Sequence, residues 1–390
     1  MELIEDIMVN YPKDWKELNL GKSSILKARI GWQGLTTAEY LDNGEYFLIT
    51  GTDFKNGFID WDNCVFVEKE RYDQDKYIQI LEDDILVTKD GTIGKVALVK
   101  DVPKPTTLNS GVFVIRPVGN SYYPQYFYHI LMSEHFRDFL GKLSAGSTIS
   151  HLYQKDFIHY NFPAPPTKEE QKSIATALTD VDELITGLEK IISKKKDIKQ
   201  GVMQQLLTPR DDWKKYKIDE VSIVGRGRVI SHKEINSSKN KIYPVYSSQT
   251  ANNGIMGFID TYDFDGEYVT WTTDGENAGT VFHRNGKFNC TNVCGTIKLK
   301  DCFDGKFISY ALSRTTYKHV SRNLANPKLM NGPMKKITIF IPNLNQQKNI
   351  ANIISDLEEE ISQLETKKEK YQAIKQGMMQ ELLTGKTRLV

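Results

Sequence analysis

Residues 167–208 read TKEEQKSIATALTDVDELITGLEKIISKKKDIKQGVMQQLLT, and residues 343–384 read NLNQQKNIANIISDLEEEISQLETKKEKYQAIKQGMMQELLT. Aligned without a gap at an offset of 176 positions, the two segments are identical at 19 of 42 positions. Random pairing at average composition would give roughly two or three identities. The chain therefore contains an internal repeat, and this repeat organises the fold.

Both copies have the sequence pattern of a long helix. An N-cap residue is followed three positions later by Glu or Gln in Thr167 with Glu170 and in Asn343 with Gln346, which is typical of a capping box. A Thr-Pro pair (208–209) and a Thr-Gly pair (384–385) supply the stop signals. About 40 residues at 1.5 Å per residue predict two rods of roughly 60 Å.

Apolar residues recur at alternating spacings of three and four in both copies, which is the pattern of a coiled-coil seam. The predicted helix–helix contacts are Ile174, Leu178, Val181, Ile185, Leu188 and Ile192 in the first copy and Ile350, Ile354, Leu357, Ile361 and Leu364 in the second. Because one chain carries both copies, we expect the two helices to pair, in antiparallel fashion if a pseudo-twofold axis relates the halves.

Each predicted helix contains a glycine at an equivalent position, Gly201 and Gly377, within an IKQG run. Glycine inside a helix costs about 1 kcal/mol relative to alanine. We expect the close approach of another backbone to explain both glycines. The alternative is simple fraying toward the end of the helix.

A shorter echo marks the start of each remaining segment, since Asp-Trp-Lys occurs at 14–16 and again at 212–214. The predicted organisation is a first β-rich domain at 1–161, a first spacer helix at 162–210, a second β-rich domain at 211–342 and a second spacer helix at 343–390. The predicted fold class is α+β, with two β-rich domains separated by two long antiparallel coiled-coil helices in a pseudo-twofold, nearly circular arrangement.

The sequences of residues 1–161 and 211–342 are typical of small β-rich domains, because short apolar runs are separated by Asn-Gly and Asp-Gly turns. Their clearest match is TKDGTIGK (88–95) with TTDGENAG (272–279). Each domain is expected to end in helices, near 124–142 and 304–320. Similar scaffolds with different loops would suit two readers of different targets.

At this point the sequence resembles the specificity subunit of type I restriction–modification systems, over nearly the whole chain. The resemblance is carried by FPAPPTKEEQKSIA (162–175), IFIPNLNQQKNIA (339–351) and the paired IKQGxMQxLLT helix ends. The segments TGTDFKNGFID (50–60), TLNSGVFVIRP (107–117) and GEYVTWTTDGENAGTV (266–281) also look like turns and strands of this family.

The resemblance implies two target-recognition domains, each reading one half of a bipartite, asymmetric site in double-stranded DNA. It implies helices that act as a ruler and dock two adenine-methylating modification subunits, with motor-nuclease subunits completing the restriction enzyme. It implies no catalytic chemistry and no cofactor in this chain, and places S-adenosylmethionine, ATP and Mg²⁺ on the partner subunits.

Composition agrees with a globular protein, since 39% of the 390 residues are apolar and 26% are charged. The net charge of +1 hides an asymmetry, because residues 1–161 are net acidic and residues 211–342 are net basic. DNA binding by the first domain would therefore need a local patch. No run approaches the ~20 apolar residues of a membrane span, and the acidic start MELIEDIMVN does not resemble a signal peptide. We expect a cytoplasmic protein that does not bind membranes.

Motifs for catalysis are incomplete. NFPAPP (161–166) has the letters of an adenine-methyltransferase loop in the wrong order, and Gly385-Lys386-Thr387 lacks the earlier glycine of a P-loop. The ExK triplets at 170–172 and 365–367 resemble those of metal nucleases, but they lie in the repeated helices and read as solvated charges.

A zinc site at His283, Cys290, Cys294 and Cys302 is also conceivable, but the spacing lacks the usual CxxC knuckles. Because the cysteines alternate with strand-like apolar residues, buried free thiols are the favoured interpretation.

The candidate DNA-binding residues are cationic, amide and hydroxyl side chains on or near predicted turns, because these groups contact base edges and phosphates. In the first domain they are Lys27, Arg29, Lys89, Thr92, Lys95, Ser147, Thr148, His151 and Lys155. In the second domain they are Arg226, Arg228, Ser248, Gln249, Asn252, Asn253, Thr273, Asn277, Asn292, Asn326 and Lys328. Plain surface solvation or turn formation is the alternative for each residue.

Two other function classes remain open at this level. An enzyme would need a cofactor or metal motif, and none is legible. A structural coiled-coil adaptor would have the helices but no sequence-specific DNA binding.

Overall fold

The computed structural model describes residues 11–31, 34–144, 151–321 and 326–389. The chain divides into two compact units, which are residues 1–188 with 367–390 and residues 189–366. Each unit contains one β-rich domain together with part of each long helix. Across the described residues, no helix is long and apolar enough to cross a membrane.

The first β-rich domain consists of short strands followed by helices. Its strands are β1 (Lys16–Asn19), β2 (Ser24–Ala28), β3 (Tyr46–Ile49), β4 (Phe54–Lys55), β5 (Phe58–Ile59), β6 (Val65–Val67), β7 (Ile85–Thr88), β8 (Val96–Leu98), β9 (Thr106–Leu108), β10 (Val112–Pro117) and β11 (Asn161–Ala164). Its helices are α1 (Leu20–Ser23), α2 (Lys69–Asp73), α3 (Pro124–Met132), α4 (Glu134–Leu143) and α5 (Gln154–Phe157), and the first long helix, α6 (Lys168–Leu206), follows.

The second domain has a closely similar set of elements. Its strands are β12 (Lys214–Lys217), β13 (Ser222–Arg226), β14 (Tyr243–Tyr246), β15 (Ile255–Ile259), β16 (Tyr268–Thr272), β17 (Val281–Arg284), β18 (Asn289–Cys290), β19 (Cys294–Leu299) and β20 (Thr338–Ile341). Its helices are α7 (Ile218–Val221), α8 (His232–Ser237), α9 (Gly305–Ser313) and α10 (Asn331–Lys336), and the second long helix is α11 (Leu344–Leu382).

The two domains share one sheet topology. The four-stranded sheet has the order β2-β10-β7-β8 in the first domain and β13-β19-β16-β17 in the second. A three-stranded sheet, β6-β3-β9 or β15-β14-β18, contains one parallel pair in each case, β3 with β9 and β14 with β18. The sequence alignment of the two domains therefore reflects a repeated scaffold.

The Asp-Trp-Lys echo marks equivalent joints. Strand β1 pairs with β11 just before the first long helix, and β12 pairs with β20 just before the second. Trp15 lies in one core with Leu382, the last residue of α11, and Leu383, which follows it. Trp213 lies in another core with Leu207, which follows α6. Each tryptophan thus packs a β-rich domain against the end of a long helix.

The predicted long helices are confirmed, and so are their N-caps. The Thr167 hydroxyl accepts a hydrogen bond from the Glu170 backbone N–H at 3.3 Å, and the Asn343 side chain accepts one from Gln346 at 3.0 Å. The carboxylate of Glu170 is 2% exposed and bonds to Arg388, which also pairs with Asp14 at 3.0 Å. It is therefore engaged in the structure, and its interpretation as a solvated charge is wrong.

Ion pairs show that the long helices run antiparallel within each unit. In the first unit, Asp182 on α6 pairs with Lys375 on α11, and Glu170 near the start of α6 bonds to Arg388, which lies shortly after the end of α11. In the second unit, Lys195 pairs with Glu360 and Lys199 pairs with Glu358. As numbers rise along one helix they fall along the other, as the sequence predicts. Supercoiling of the helices and the nearly circular arrangement stay predictions.

The predicted apolar seam is buried or half-buried along its length, but its first residues pack into the domains. Ile174 and Leu178 belong to the core of the first domain, together with Phe127 and Phe162. Ile354 occupies the corresponding core of the second domain. These residues therefore attach each domain to its own spacer helix. Helix–helix contact by the rest of the seam stays a prediction.

The prediction of a close backbone approach at Gly201 and Gly377 is wrong. Among the described residues, a Cβ built on either glycine meets no heavy atom within 4 Å outside the local helix backbone. Both glycines are exposed on the helix surface. They therefore have no packing role against the part of the chain that the structure describes.

We expect Gly201→Ala and Gly377→Ala each to raise the free energy of unfolding by up to about 1 kcal/mol, because alanine favours the helix and meets no clash. Thermal and urea denaturation measure the effect. Gly94→Ala is the matched control, since Gly94 has φ +77° and its Cβ would lie 2.3 Å from a Leu140 methyl, so that variant should lose stability. A loss of stability at position 201 or 377 would contradict the assignment.

Candidate DNA interface

One turn is built in the same way in both domains, by a threonine that bonds to the backbone of the loop it opens. The Thr88 hydroxyl donates to the Thr92 carbonyl at 2.6 Å and accepts from the Lys95 N–H at 2.9 Å. Gly91 and Gly94 have positive φ angles of +67° and +77°, which allow the chain to reverse. We call residues 88–95 the first DG turn.

The second DG turn, residues 272–280, repeats these contacts with one more residue in the loop. The Thr272 hydroxyl donates to the Asn277 carbonyl and accepts from the Thr280 N–H at 3.0 Å. Gly275 and Gly279 have φ angles of +97° and +88°. Because the threonine and the glycines hold the backbone, the remaining side chains can differ without loss of the turn.

A second segment clamps each DG turn at the same place. In the first domain the Leu152 N–H donates to the Lys89 carbonyl at 2.8 Å, and His151 lies against the Asp90 carboxylate. In the second domain the Leu329 N–H donates to the Thr273 carbonyl at 2.9 Å. Lys328 lies 3.4 Å from the Asp274 carboxylate. The segments that contain His151 and Lys328 therefore occupy equivalent places beside the two DG turns.

Two further loops adjoin the DG turn in the first domain. The Lys89 N–H donates to the Gly111 carbonyl at 2.9 Å, which joins the turn to loop 109–111. The Asn109 N–H in turn donates to the Ile49 carbonyl at 2.9 Å, next to loop 50–53. We call loops 50–53, 88–95, 109–111 and 151–155 the first four-loop surface.

The second four-loop surface consists of loops 247–254, 272–280, 291–293 and 326–330. The last of these loops is defined from residue 326, where the described part of the chain resumes. The Thr273 N–H donates to the Val293 carbonyl at 3.1 Å, and the Asn277 amide donates to the Thr250 hydroxyl at 3.2 Å. The Thr291 hydroxyl donates to Ser247 at 3.3 Å. The four loops thus form one continuous, hydrogen-bonded surface.

Several predicted residues of the first domain lie on or beside its four-loop surface. Thr92 and Lys155 are exposed, whereas Lys89, Lys95 and His151 are half-buried. The Lys89 ammonium lies 5.4 Å from the centre of the Phe113 ring, and that of Lys155 lies 5.5 Å from the Tyr153 ring. Lys27 is exposed on strand β2, outside these loops, with its ammonium 5.5 Å from the Tyr77 ring. Ser147 and Thr148 lie outside the described residues.

Arg29 is a correction to the predicted set. It is 1% exposed, and its guanidinium donates to the Leu108 carbonyl at 2.7 Å, to Gln74 at 2.9 Å and to Thr107 at 3.0 Å. Burial lowers the pKa of this guanidinium. Its donors are used inside the domain, so the residue has a structural role and does not present a DNA contact in this geometry.

The second four-loop surface is rich in exposed amides. The exposed candidates are Gln249, Asn252, Asn253, Asn277, Asn292 and Asn326, with Ser248 and Lys328 half-buried beside them. Asn252 and Asn253 have positive φ angles of +49° and +52°, a backbone that asparagine tolerates better than most residues. Five of these amides lie on three adjacent loops.

Three predicted residues of the second domain are engaged by the protein itself. Thr273 is fully buried and donates to Asp274 at 2.6 Å. Arg228 pairs with Glu234 at 2.6 Å and with Asp263 at 3.0 Å, and these hydrogen bonds raise the pKa of its guanidinium. Arg226 is half-buried and donates to the Met330 sulfur at 3.2 Å. Because its side chain is buried, Thr273 does not present a direct DNA contact in this geometry, and its prediction as one is wrong.

The sequence interpretation missed Arg284, which supports the second surface from below. It is 4% exposed, its guanidinium lies 3.7 Å from the Tyr246 ring centre, and it donates to the Asn253 carbonyl at 2.7 Å. The interpretation also missed Thr52, Asn109 and Ser110 of the first surface. Alignment of loop 109–111 with loop 291–293, where Asn292 was chosen, could have identified the last two.

The four residues considered as zinc ligands, His283, Cys290, Cys294 and Cys302, differ in exposure and in bonding partners. Cys290 and Cys294 are buried, whereas Cys302 is exposed, contrary to the expectation of a buried thiol there. The imidazole of His283 bonds to Glu267 at 2.7 Å. Within the described residues, no three His, Cys, Asp or Glu side chains form a group that could hold a metal ion.

Comparison with known proteins agrees with this repeated architecture. The family described as "Type I restriction modification DNA specificity domain" matches residues 12–200 and again residues 210–376. The crystal structure of a type I restriction–modification S subunit from M. genitalium has the same fold, with a TM-score of 0.68 over 98% of both chains at 15% identity.

Two relatives come from Mycoplasma pneumoniae. The N-terminal part of a putative type I specificity subunit is 46% identical over 142 residues, which are 36% of this chain and 75% of that protein. The specificity subunit of the type I restriction enzyme MpnII is 40% identical over 142 residues, which are 36% of this chain and 42% of that protein.

The chain therefore belongs to the type I restriction–modification DNA specificity family, with two copies of the family's domain. Specificity subunits of this family are not catalytic, and the enzymatic activities of a type I system reside in its other subunits. The resemblance seen in the sequence is confirmed.

We expect Arg29→Met to destabilise the first unit by about 1–3 kcal/mol, because the substitution leaves buried acceptors such as the Leu108 carbonyl without a donor. Urea denaturation measures the change in the free energy of unfolding. Lys27→Met, two positions away on an exposed face, is the control and should be nearly neutral. An Arg29→Met protein with normal stability but weakened DNA binding would restore Arg29 as a direct contact.

Proposed function

We propose that each four-loop surface reads one half of a bipartite, asymmetric site in double-stranded DNA. The observation that carries the proposal is the duplication itself: one scaffold presents four linked loops twice, with different side chains each time. Loops on a rigid β scaffold are common recognition elements, because the scaffold fixes their backbones while their side chains vary.

The side chains offered by the two surfaces differ in kind. The first offers the cations Lys89, Lys95 and Lys155 with the hydroxyl of Thr92, whereas the second offers mainly amides such as Asn277 and Asn292. Lysine donates to guanine and to phosphates, and asparagine or glutamine can make two hydrogen bonds to adenine. Two unlike surfaces favour two unlike half-sites, which is why we propose an asymmetric target.

The remaining parts of the proposal concern spacing and partners. The long helices would set the distance between the half-sites and dock two DNA-methyltransferase subunits, and motor-nuclease subunits would join through the complex. S-adenosylmethionine, ATP and Mg²⁺ would be bound by those partners, in the cytoplasm. The MpnII relative is named as the specificity subunit of a type I restriction enzyme, and another solved structure with this fold (TM-score 0.54) is described in terms of type I complex assembly.

The main alternative is a structural adaptor without sequence-specific DNA binding. Such a protein would not need two surfaces of hydrogen-bonding side chains held by buried arginines and threonines. The adaptor is nevertheless an outcome that the following experiment can give.

Co-expression of this chain with its methyltransferase subunit, followed by genome-wide mapping of methylated adenine, tests the proposal. We expect one bipartite motif with a fixed spacer. The double variant Asn277→Ala/Asn292→Ala should change or relax one half-site by about 1–3 kcal/mol per lost bidentate contact and leave the other unchanged. Asn285→Ala, an exposed amide at the other end of strand β17, is the matched control. Methylation without any bipartite motif would favour the adaptor.

A phosphate-binding lysine should behave differently from a base reader. We expect Lys155→Ala to weaken binding of the assembled complex to all DNA sequences about equally, because phosphates carry no sequence information. The slope of log K against log salt concentration should fall in magnitude by about 0.9 for one lost phosphate contact. Titration of labelled duplexes at several salt concentrations measures both quantities. Loss of affinity for the specific site alone would instead make Lys155 a base reader.

A further inference from the structure

A polar cluster joins three elements in the first unit. Asp182 on α6 pairs with Lys375 on α11 at 2.5 Å, and each side chain is only 17% exposed. His129 on α3 is fully buried and lies 3.1 Å from the Thr179 hydroxyl, about one helical turn before Asp182. Burial lowers the pKa of His129 to about 3, so the imidazole is neutral at ordinary pH and leaves the ion pair undisturbed.

An equivalent cluster occurs in the second unit. Glu358 on α11 pairs with Lys199 on α6 at 3.1 Å. The Tyr310 hydroxyl on α9 donates to Glu358 at 2.6 Å and lies 3.2 Å from the Ser355 hydroxyl. Each cluster therefore contains a carboxylate from one long helix, a lysine from the other, and a side chain from the recognition domain.

The two clusters are copies of each other under the 176-residue offset of the repeat. Asp182 corresponds to Glu358, Thr179 to Ser355, and Lys199 to Lys375. The roles of the helices are exchanged, because α6 supplies the carboxylate in the first unit and the lysine in the second. The same pairing in both units indicates one particular register of the two helices.

The apolar seam alone does not select this register strongly. A heptad pattern can be shifted by seven residues, about 10 Å, with apolar side chains still facing each other. Such a shift would separate Asp182 from Lys375 and leave a half-buried charge without its partner, which is strongly unfavourable. Setting the register of a helix pair is the best-attested role of polar groups in such a seam.

We propose that two clusters, Asp182–Lys375–His129 and Glu358–Lys199–Tyr310, are positioning sites. They fix the register of the two long helices and the position of each β-rich domain on them. If the helices set the half-site spacing, as in the proposed function on which this inference rests, these residues determine how strictly one spacer length is selected. They do so without contacting DNA.

The experiment measures the spread of spacer lengths in the co-expressed methyltransferase complex. Lys375→Met and Lys199→Met keep the long aliphatic side chain but remove the charge. We expect each variant to methylate sites with additional spacer lengths, raising their share at least tenfold, while both half-site sequences stay unchanged. Lys196→Met is the matched control, because Lys196 also pairs across the helices, with Glu365, but its side chain is 56% exposed, against 17% for Lys375 and 29% for Lys199. It should leave the spacer unchanged.

A charge exchange separates positioning from general damage. Asp182→Lys combined with Lys375→Asp should restore the single spacer, since the pair re-forms in the same register. If Lys375→Met does not fold, restoration of folding and of the wild-type spacer by the exchange supports the proposal. An exchanged protein that folds but accepts several spacers overturns it, and so does a folded Lys375→Met or Lys199→Met protein that keeps one spacer. Wild-type protein without any bipartite methylation would instead reject the proposed function.

Discussion

A buried glutamine at the start of each long helix is the interaction on which the rest of each unit depends. Gln171 donates to the Pro165 carbonyl at 3.0 Å and accepts from the Tyr123 N–H at 2.8 Å. Gln347 repeats both contacts, with the Pro342 carbonyl and the Asp304 N–H, each at 2.9 Å. The glutamine thus joins the helix start to the N-cap of a domain helix, and both backbone groups would lack a partner without it.

Because these glutamine contacts involve the start of the long helix and not the loops, the scaffold can stay constant while the loops vary. The domain is held on its helix by the glutamine, by the tryptophan of the Asp-Trp-Lys segment and by the apolar residues of the first helical turns, none of which belongs to the loops of the four-loop surface. Each DG turn is held by a threonine and by glycines, so its exposed side chains carry little of the stability. The division explains how two domains of one topology can present cations in one case and amides in the other.

Local patterns allowed much of the fold to be predicted. Thr167 and Asn343 cap the helices as the capping pattern indicates, because a cap depends only on residues within one turn. The match of the DG turns was visible for the same reason. The candidate site was harder to predict, since Arg29 and Thr273 have the residue types of DNA contacts and yet are buried. Their burial depends on segments that fold over them, such as residues 71–74 and 107–108 around Arg29.

The sequence by itself determined the repeat, the two long helices and the two β-rich domains, because each is encoded in short-range periodicity or in direct similarity between segments. The family followed from the resemblance of segments such as FPAPPTKEEQKSIA (162–175) to known specificity subunits. Only the tertiary structure decided which polar residues face solvent and which are locked inside. Lys199 and Lys375 read as ordinary helix lysines, but each meets a carboxylate 159 or 193 positions away. A charge becomes a positioning group only when folding brings a distant partner within reach and covers part of its side chain, and periodicity does not reveal that.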